Sequence, residues 1–250
     1  MSHLQDEFRR LSLNRLETVD KQIIDFMTQR RGLSVYTLNC QSLRAHSADL
    51  TDSVIRKSSI VLLSETWLND NEDISIPNFN CVIKYKRLNV RAGGVAIYHN
   101  QDDSVNIVTP NMEMTARQSQ SYSSTVTPVG DVCIAECQTL NGKTIVIAAI
   151  YISPNQNLND IIYFIHRSLL VYSHAGANAL GRGEDKIPLI LGGDFNVNFG
   201  SNDSLPLIQF LRETFGLQIN NNPKESTTKS GTKLDAIFTR YLENIESRTY

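Results

Sequence analysis

The stretch Leu189-Ile190-Leu191-Gly192-Gly193-Asp194-Phe195-Asn196 constrains this chain more than any other. Its apolar, β-rich start reads as a buried strand, and it stops abruptly at an aspartate and an asparagine with one residue between them. Strand alternation sends Asp194 and Asn196 to one side and Phe195 to the other, so the Phe is an anchor and the polar pair is the floor of a site. Gly192-Gly193 predicts a backbone that can come close to a ligand. Beside a phosphate, a carboxylate can ligate a divalent cation or align water, and an amide can hold an oxygen without adding charge. The competing reading is a plain Asx turn, because Asp and Asn are ordinary turn formers.

The same device recurs in runs that are not repeats of one another. Leu33-Ser34-Val35-Tyr36-Thr37-Leu38-Asn39 ends at an amide, and Ile60-Val61-Leu62-Leu63-Ser64-Glu65 ends at a carboxylate. Thr144-Ile145-Val146-Ile147-Ala148-Ala149-Ile150-Tyr151 ends at a phenol, followed by Ser153-Pro154-Asn155. Singly, each end is a solvated loop or rim residue. Together they place Asn, Glu, Tyr and Asp-x-Asn at the ends of core strands.

In the order Asn39, Ser64-Glu65-Thr66-Trp67, Gly93-Gly94-Val95-Ala96-Ile97-Tyr98, Tyr151-x-x-Pro154-Asn155, Gly193-Asp194-Phe195-Asn196 and Leu234-Asp235-Ala236-Ile237-Phe238, the chain resembles the endonuclease/exonuclease/phosphatase superfamily. The Glu-Thr-Trp, Gly-Gly-Val-Ala-Ile and Gly-Asp-Phe-Asn forms are most similar to apurinic-like endonuclease domains of mobile elements, both LINE-type retrotransposons and Helitron-type elements. The resemblance covers residues 32–250 and leaves 1–31 as an N-terminal helical extension or linker. It implies an α/β (α+β) fold in which two β-sheets pack face to face with helices outside, a four-layer sandwich with the active site at one end. It also implies phosphodiester hydrolysis assisted by Mg²⁺ or Mn²⁺. Glu65 then corresponds to the main metal ligand and Asn39 to a nearby metal or phosphate contact. Asp194 corresponds to the residue that orients or deprotonates water, Asn196 to one that holds phosphate or Asp194, and Tyr151 to a phosphate or leaving-group contact. Asn155 corresponds to a loop-supporting DNA contact and Asp235 to the aspartate that orients a catalytic histidine.

The chain departs from the family where that histidine is expected. The family pattern finishes with Ser-Asp-His beyond the Asp235 position, whereas His3, His46, His99, His166 and His174 all precede Asp194. His99, at the end of the Gly-Gly-Val-Ala-Ile-Tyr run, is the nearest substitute. Tyr151-Ile152-Ser153-Pro154-Asn155 is also one residue longer than Tyr-x-Pro-Asn. The expectation is a C-terminally truncated domain lacking its last strand, with impaired activity, whose longer relatives are fused to reverse transcriptase or helicase.

Charge adds a constraint. Lys plus Arg number 24 against 26 for Asp plus Glu, a net charge of -2, so no global basicity draws this protein to DNA. Contact with nucleic acid must be local, and Lys84, Lys86, Arg87 and Arg91, with Tyr85 among them, form the best candidate. They read either as a solvated basic loop or, by the resemblance, as a wall that positions phosphates without reading sequence. Cys40, Cys81, Cys133 and Cys137 include no CxxC pair and the His residues are scattered, which argues against structural zinc. With no signal peptide and no membrane-length apolar run, the reading is a reduced intracellular protein, nuclear when it acts on DNA. Three functions compete: a DNA endonuclease, a phosphatase or phosphodiesterase acting on a phospholipid or soluble phosphate, and a catalytically inactive DNA-binding pseudo-enzyme.

The remaining segments alternate. A first helix is expected with Asn14 and Glu17 as a capping-box variant, Leu16, Val19, Ile23 and Phe26 on one face, and a stop at Arg30-Arg31-Gly32. A second is expected from Asn159 to His174 with Ile162, Ile165, Leu169 and Tyr172 inward, and a third from Ser204-Leu205-Pro206 to Gly216. Ala175 to Lys186 reads as a loop, and Asn141-Gly142 as a hairpin turn.

Overall fold

The computed structural model describes residues 21–25, 27, 32–69, 71–106, 112–120, 129–139, 142–221, 225–228 and 230–249. Residues 21–25 are helical; the expected cap at Asn14 and Glu17 and the stop at Arg30-Arg31 lie outside the described residues, as does Asn141.

Two mixed sheets make the body of the molecule. The smaller orders β1 (Val35–Asn39), β2 (Ile60–Ser64), β4 (Val95–Asn100) and β3 (Phe79–Tyr85) side by side. The larger orders β5 (Met112–Gln120), β6 (Gly130–Thr139), β7 (Thr144–Ile152), β8 (Leu189–Asp194), β10 (Asp235–Arg240) and β9 (Gln218–Ile219). β1 with β2 and β7 with β8 run parallel; the remaining neighbours are antiparallel.

The central strands β2, β7 and β8 are apolar over most of their length because both faces of each sheet are covered. Ile60, Leu62, Val95 and Ile97 interdigitate with Cys133, Ala135, Ile147 and Ala149 between the sheets. The alternate residues Val61, Leu63, Ala96 and Tyr98 face outward under Leu43, Leu50 and Ile55 of short helical turns. On the far side, Val132, Ile134, Ala148 and Leu191 are covered by Ile161, Phe164 and Ile165 of the helix Leu158–Ser168 and by Leu207, Leu211 and Phe215 of the helix Leu205–Phe215. Each fully buried Leu or Ile contributes about 1.5–3 kcal/mol relative to exposure. The result is the expected helix, sheet, sheet, helix sandwich.

Two details differ from the sequence reading. Ser173 divides the expected Asn159 to His174 helix: the first helix closes at Leu169, a short 3-10 turn spans Leu170–Tyr172, and the Ser173 hydroxyl caps a new helix, His174–Leu180, by accepting from Gly176 N at 3.0 Å. A Cβ at Gly176 would stand 1.9 Å from Leu170 O, so this tight corner requires glycine. Half of the stretch read as a loop is therefore helical, ending where Gly181 turns left-handed at φ 61.

The second difference is Gly192-Gly193, whose close approach is to protein and not to a ligand. A Cβ on Gly192 would meet Leu62 Cδ1 of the opposite sheet at 2.9 Å, and one on Gly193, at φ +145, would meet Ile150 O at 2.0 Å. Gly192 lets the two sheets approach and Gly193 lets β8 lie close against β7 just before Asp194.

Candidate active site

Strand register delivers the polar ends to one edge of the sandwich. In the smaller sheet Asn39 lies opposite Ser64, immediately before Glu65. In the larger, Asp194 lies opposite Tyr151 on one flank and Asp235 on the other. Asn39 joins the two sheets, its Nδ2 donating to Glu65 Oε1 at 3.0 Å and to Asp194 Oδ2 at 2.7 Å. Asn196 holds Asp194 from the other side: its backbone N donates to Asp194 Oδ1 at 2.8 Å, and its Nδ2 donates to Ile152 O at 2.7 Å. Between them Phe195 is fully buried, edge-on to Phe199 and Phe238 with ring centroids 5.3 and 5.4 Å away. The structure thus brings together Asn39, Glu65, Tyr151, Asp194, Asn196 and Asp235.

Glu65 depends on a turn that few side chains tolerate. Its φ is 52, in the left-handed region that costs a non-glycine residue free energy. The peptides around it are fully bonded, with Ser42 N donating to Glu65 O at 2.9 Å, Thr66 N to Gly94 O at 3.2 Å and Trp67 N to Gly93 O at 2.8 Å.

Desolvation dominates the electrostatics. Burial, reinforced by the charge of neighbouring Asp235, pushes Asp194 up to about 7, and burial pushes Asp235 up to about 6. Asp235 Oδ1 is buried and accepts no hydrogen bond. Burial, then the charges of Glu65 and Asp194, raise the Tyr151 phenol above its ordinary value. Clustered carboxylates with raised proton affinity are a place where a cation would replace the proton. Glu65 and Asp194 are hard donors of the kind that Mg²⁺ takes, whereas Asn39 presents its Nδ2 to them and its Oδ1 accepts from Gln41 N at 3.2 Å. No group of three or more His, Cys, Asp or Glu among the described residues is itself arranged to hold a metal ion, so the fit rests on two carboxylates.

The basic cluster divides. A cavity of about 630 Å³ beside Thr66 and Trp67 is lined by Arg44, Lys86, Arg87 and Arg91, and Arg44 is ion-paired there with Glu72. Lys84 turns away to Asp73 Oδ1 at 2.5 Å. Arg87 departs from the expectation of a surface DNA contact: it is 3 % exposed, and its guanidinium is committed to Asp131, to Ser153 and to the face of Tyr151. Asn155 is exposed in the loop after β7 at φ 61, a turn position. Sequence reasoning missed Arg44, which reaches the cavity from the helix after Asn39, and Asp131; no local pattern marks either.

None of His46, His99, His166 and His174 hydrogen-bonds Asp194 or Asp235 among the described residues. His46 bonds to Asp49 and His174 to Asp185, while His166 packs on Phe210. His99 cannot stand in for the family histidine, because it pairs with Ile60 at the end of β2 remote from the site. The Cys residues are all free, and among the described residues no helix is long and apolar enough to cross a membrane.

The sequence matches no protein-family model and no curated protein. Its fold matches solved structures. ANGEL2, a 2',3'-cyclic phosphatase, superposes with a TM-score of 0.54 at 15% identity, covering 84% of this chain and 83% of that one. A β-hairpin deletion mutant of beta toxin from Staphylococcus aureus superposes with a TM-score of 0.51 at 13% identity, covering 87% and 91%. At these identities the likeness is one of fold, and the fold is the two-sheet sandwich of endonuclease/exonuclease/phosphatase proteins.

Proposed function

We propose that this chain is a divalent-metal-dependent phosphodiesterase that nicks DNA, of the apurinic-like type found in transposable elements. The observation that carries the reading is the Asn39 amide, which holds Glu65 and Asp194 from opposite sheets at 3.0 and 2.7 Å. Acid, amide and base converge there as hydrolysis of a phosphodiester requires.

Glu65 would hold Mg²⁺ or Mn²⁺, with the Asn39 amide beside it as a phosphate contact; the cation supplies charge neutralisation for phosphate oxygens when bound. Asp194, whose proton affinity burial raises in the metal-free protein, would take a proton from the attacking water. Asn196 fixes that carboxylate through its backbone N–H. Tyr151, kept protonated by burial, remains a hydrogen-bond donor toward a phosphate oxygen or the leaving group. Asp235, beside Asp194, sustains its raised proton affinity. Lys86 and Arg91 would position the backbone of the nucleic acid in the adjoining cavity. The mobile-element assignment is supported by the Glu-Thr-Trp, Gly-Gly-Val-Ala-Ile and Gly-Asp-Phe-Asn forms.

The test is nicking of supercoiled plasmid with Mg²⁺, compared with EDTA and with Asp194→Asn. Nicking in the first case alone is expected. Hydrolysis of nucleoside 2',3'-cyclic phosphates without any nicking would assign the site to a phosphatase instead.

A further inference from the structure

Asp131 is fully buried at the start of β6, and the proposed chemistry does not use it. Both of its oxygens are engaged: Oδ1 accepts from Arg87 N at 2.9 Å and stands 3.5 Å from Arg87 Nε, while Oδ2 accepts from Gly94 N at 2.8 Å. The partner guanidinium extends to Ser153 Oγ at 2.7 Å and lies 5.8 Å from the centroid of the Tyr151 ring. Tyr151 is itself directly opposite Asp131 in the β6–β7 register.

Both ends of this pair lead to the site. On one side, Asp131 fixes the Gly93-Gly94 turn, whose two carbonyls accept from Trp67 and Thr66, the residues that follow left-handed Glu65. The fit is close: a Cβ on Gly93 would meet Asp131 Oδ2 at 2.8 Å, and one on Gly94 would meet Thr66 Oγ1 at 2.5 Å. On the other side, Arg87 braces the ring of Tyr151 and, through Ser153, the loop after β7.

We infer that Asp131 and Arg87 are a positioning pair that sets where Glu65 and Tyr151 stand relative to one another across the two sheets. A buried ion pair is weak evidence for stability, since apolar residues of similar volume often serve as well. What apolar residues could not supply is directed bonding to the Gly93-Gly94 turn and to Ser153 at once. The inference rests on the phosphodiesterase reading for which residues count as catalytic, but the placement of Glu65 can be measured without turnover.

Trp67, two residues beyond Glu65, is the only tryptophan of the chain, so emission excited selectively at tryptophan reports on this segment alone. The experiment compares the full chain with Asp131→Asn/Arg87→Met, which removes both buried charges together, and with Ser153→Ala, which releases only the outer anchor of Arg87. Folding is followed by circular dichroism, placement by Trp67 emission and acrylamide quenching, and plasmid nicking is split into kcat and KM. The double variant should keep its fold, shift Trp67 emission and quenching, and lose about 10²-fold in kcat with KM little changed, the cost of small misplacements. Ser153→Ala should lower kcat several-fold with Trp67 unmoved, because it acts through Tyr151. A folded double variant with unchanged Trp67 emission and quenching would overturn the inference, as would an unfolded double variant together with a Ser153→Ala kcat equal to that of the parent. Should the parent chain nick nothing, the reading of function fails, and Trp67 fluorescence still decides the positioning role.

Discussion

Asp194 and Asp235 sit directly opposite one another across the antiparallel β8–β10 pair, two carboxylates where a sheet ordinarily places complementary groups. Both lie well above the ordinary carboxylate range, at about 7 and about 6. In the metal-free protein the folded state therefore keeps protons that the unfolded chain has released, from the ordinary value of 3.8 upward. Where the native state binds more protons, stability falls as pH rises. The contribution of these two groups is complete below 3.8, declines through the window up to about 7, and is gone above it.

Replacing Asp194 by Asn should remove much of that decline. In EDTA, Asp194→Asn should be more stable than the parent at pH 8 by on the order of a few kcal/mol. The gain should vanish at pH 3.5. Urea denaturation of both proteins across that range measures it, and a pH-independent difference would mean that Asp194 titrates normally.

The reading from sequence reached most of this site because each polar residue closes an apolar run, and parallel register carries such ends to one edge. Asn39, Glu65, Tyr151, Asp194 and Asn196 were legible for that reason, whereas Asp235, which opens its strand, was reached only through the family resemblance. Arg87 was not, because a cation in a basic stretch looks the same whether it meets solvent or the carboxylate of Asp131, which lies 44 residues away in sequence. Gly192-Gly193 was assigned to the wrong neighbour for a related reason: strand alternation gives the face of a glycine but not what stands against it. The break at Ser173 was hidden because Ser is tolerated inside a helix, and only the corner at Gly176 makes it a cap.

Added Mg²⁺ should stabilise the protein, since a ligand of the folded state shifts unfolding by mass action. The thermal shift should be larger at pH 8 than at pH 5, where Asp194 and Asp235 still hold protons that compete with the cation. Glu65→Gln should abolish most of the shift. An equal shift in Glu65→Gln would place the cation elsewhere.

The cavity beside Trp67 makes a separate prediction for DNA. Lys86 and Arg91 line it, whereas Arg44 is engaged with Glu72 and Lys84 with Asp73. Lys86→Ala/Arg91→Ala should weaken duplex binding and reduce the slope of log K against log salt by about 0.9 for each phosphate that is no longer neutralised. Lys84→Ala should leave that slope unchanged. If Lys84 moves it as much as the double variant does, the DNA follows the outer face of β3 and not the cavity.

The two glycines before Asp194 should respond differently to alanine, because their neighbours differ. At Gly192 the new methyl meets Leu62 Cδ1 at 2.9 Å, the flexible end of a side chain. Such overpacking costs about 1–3 kcal/mol, and shortening the partner in Gly192→Ala/Leu62→Ala should recover part of it, a favourable coupling between touching residues. At Gly193 the methyl meets the Ile150 carbonyl at 2.0 Å from a backbone at φ +145. Neither element can yield without breaking the β7–β8 pairing that sets Tyr151 beside Asp194. Gly193→Ala should therefore lose stability and nicking together, with no relief from Leu62→Ala. Thermal denaturation of the three single variants and the two doubles with Leu62→Ala gives the coupling directly, and relief of Gly193→Ala by Leu62→Ala would show that intersheet packing, not the backbone of β7, fixes the position of Asp194.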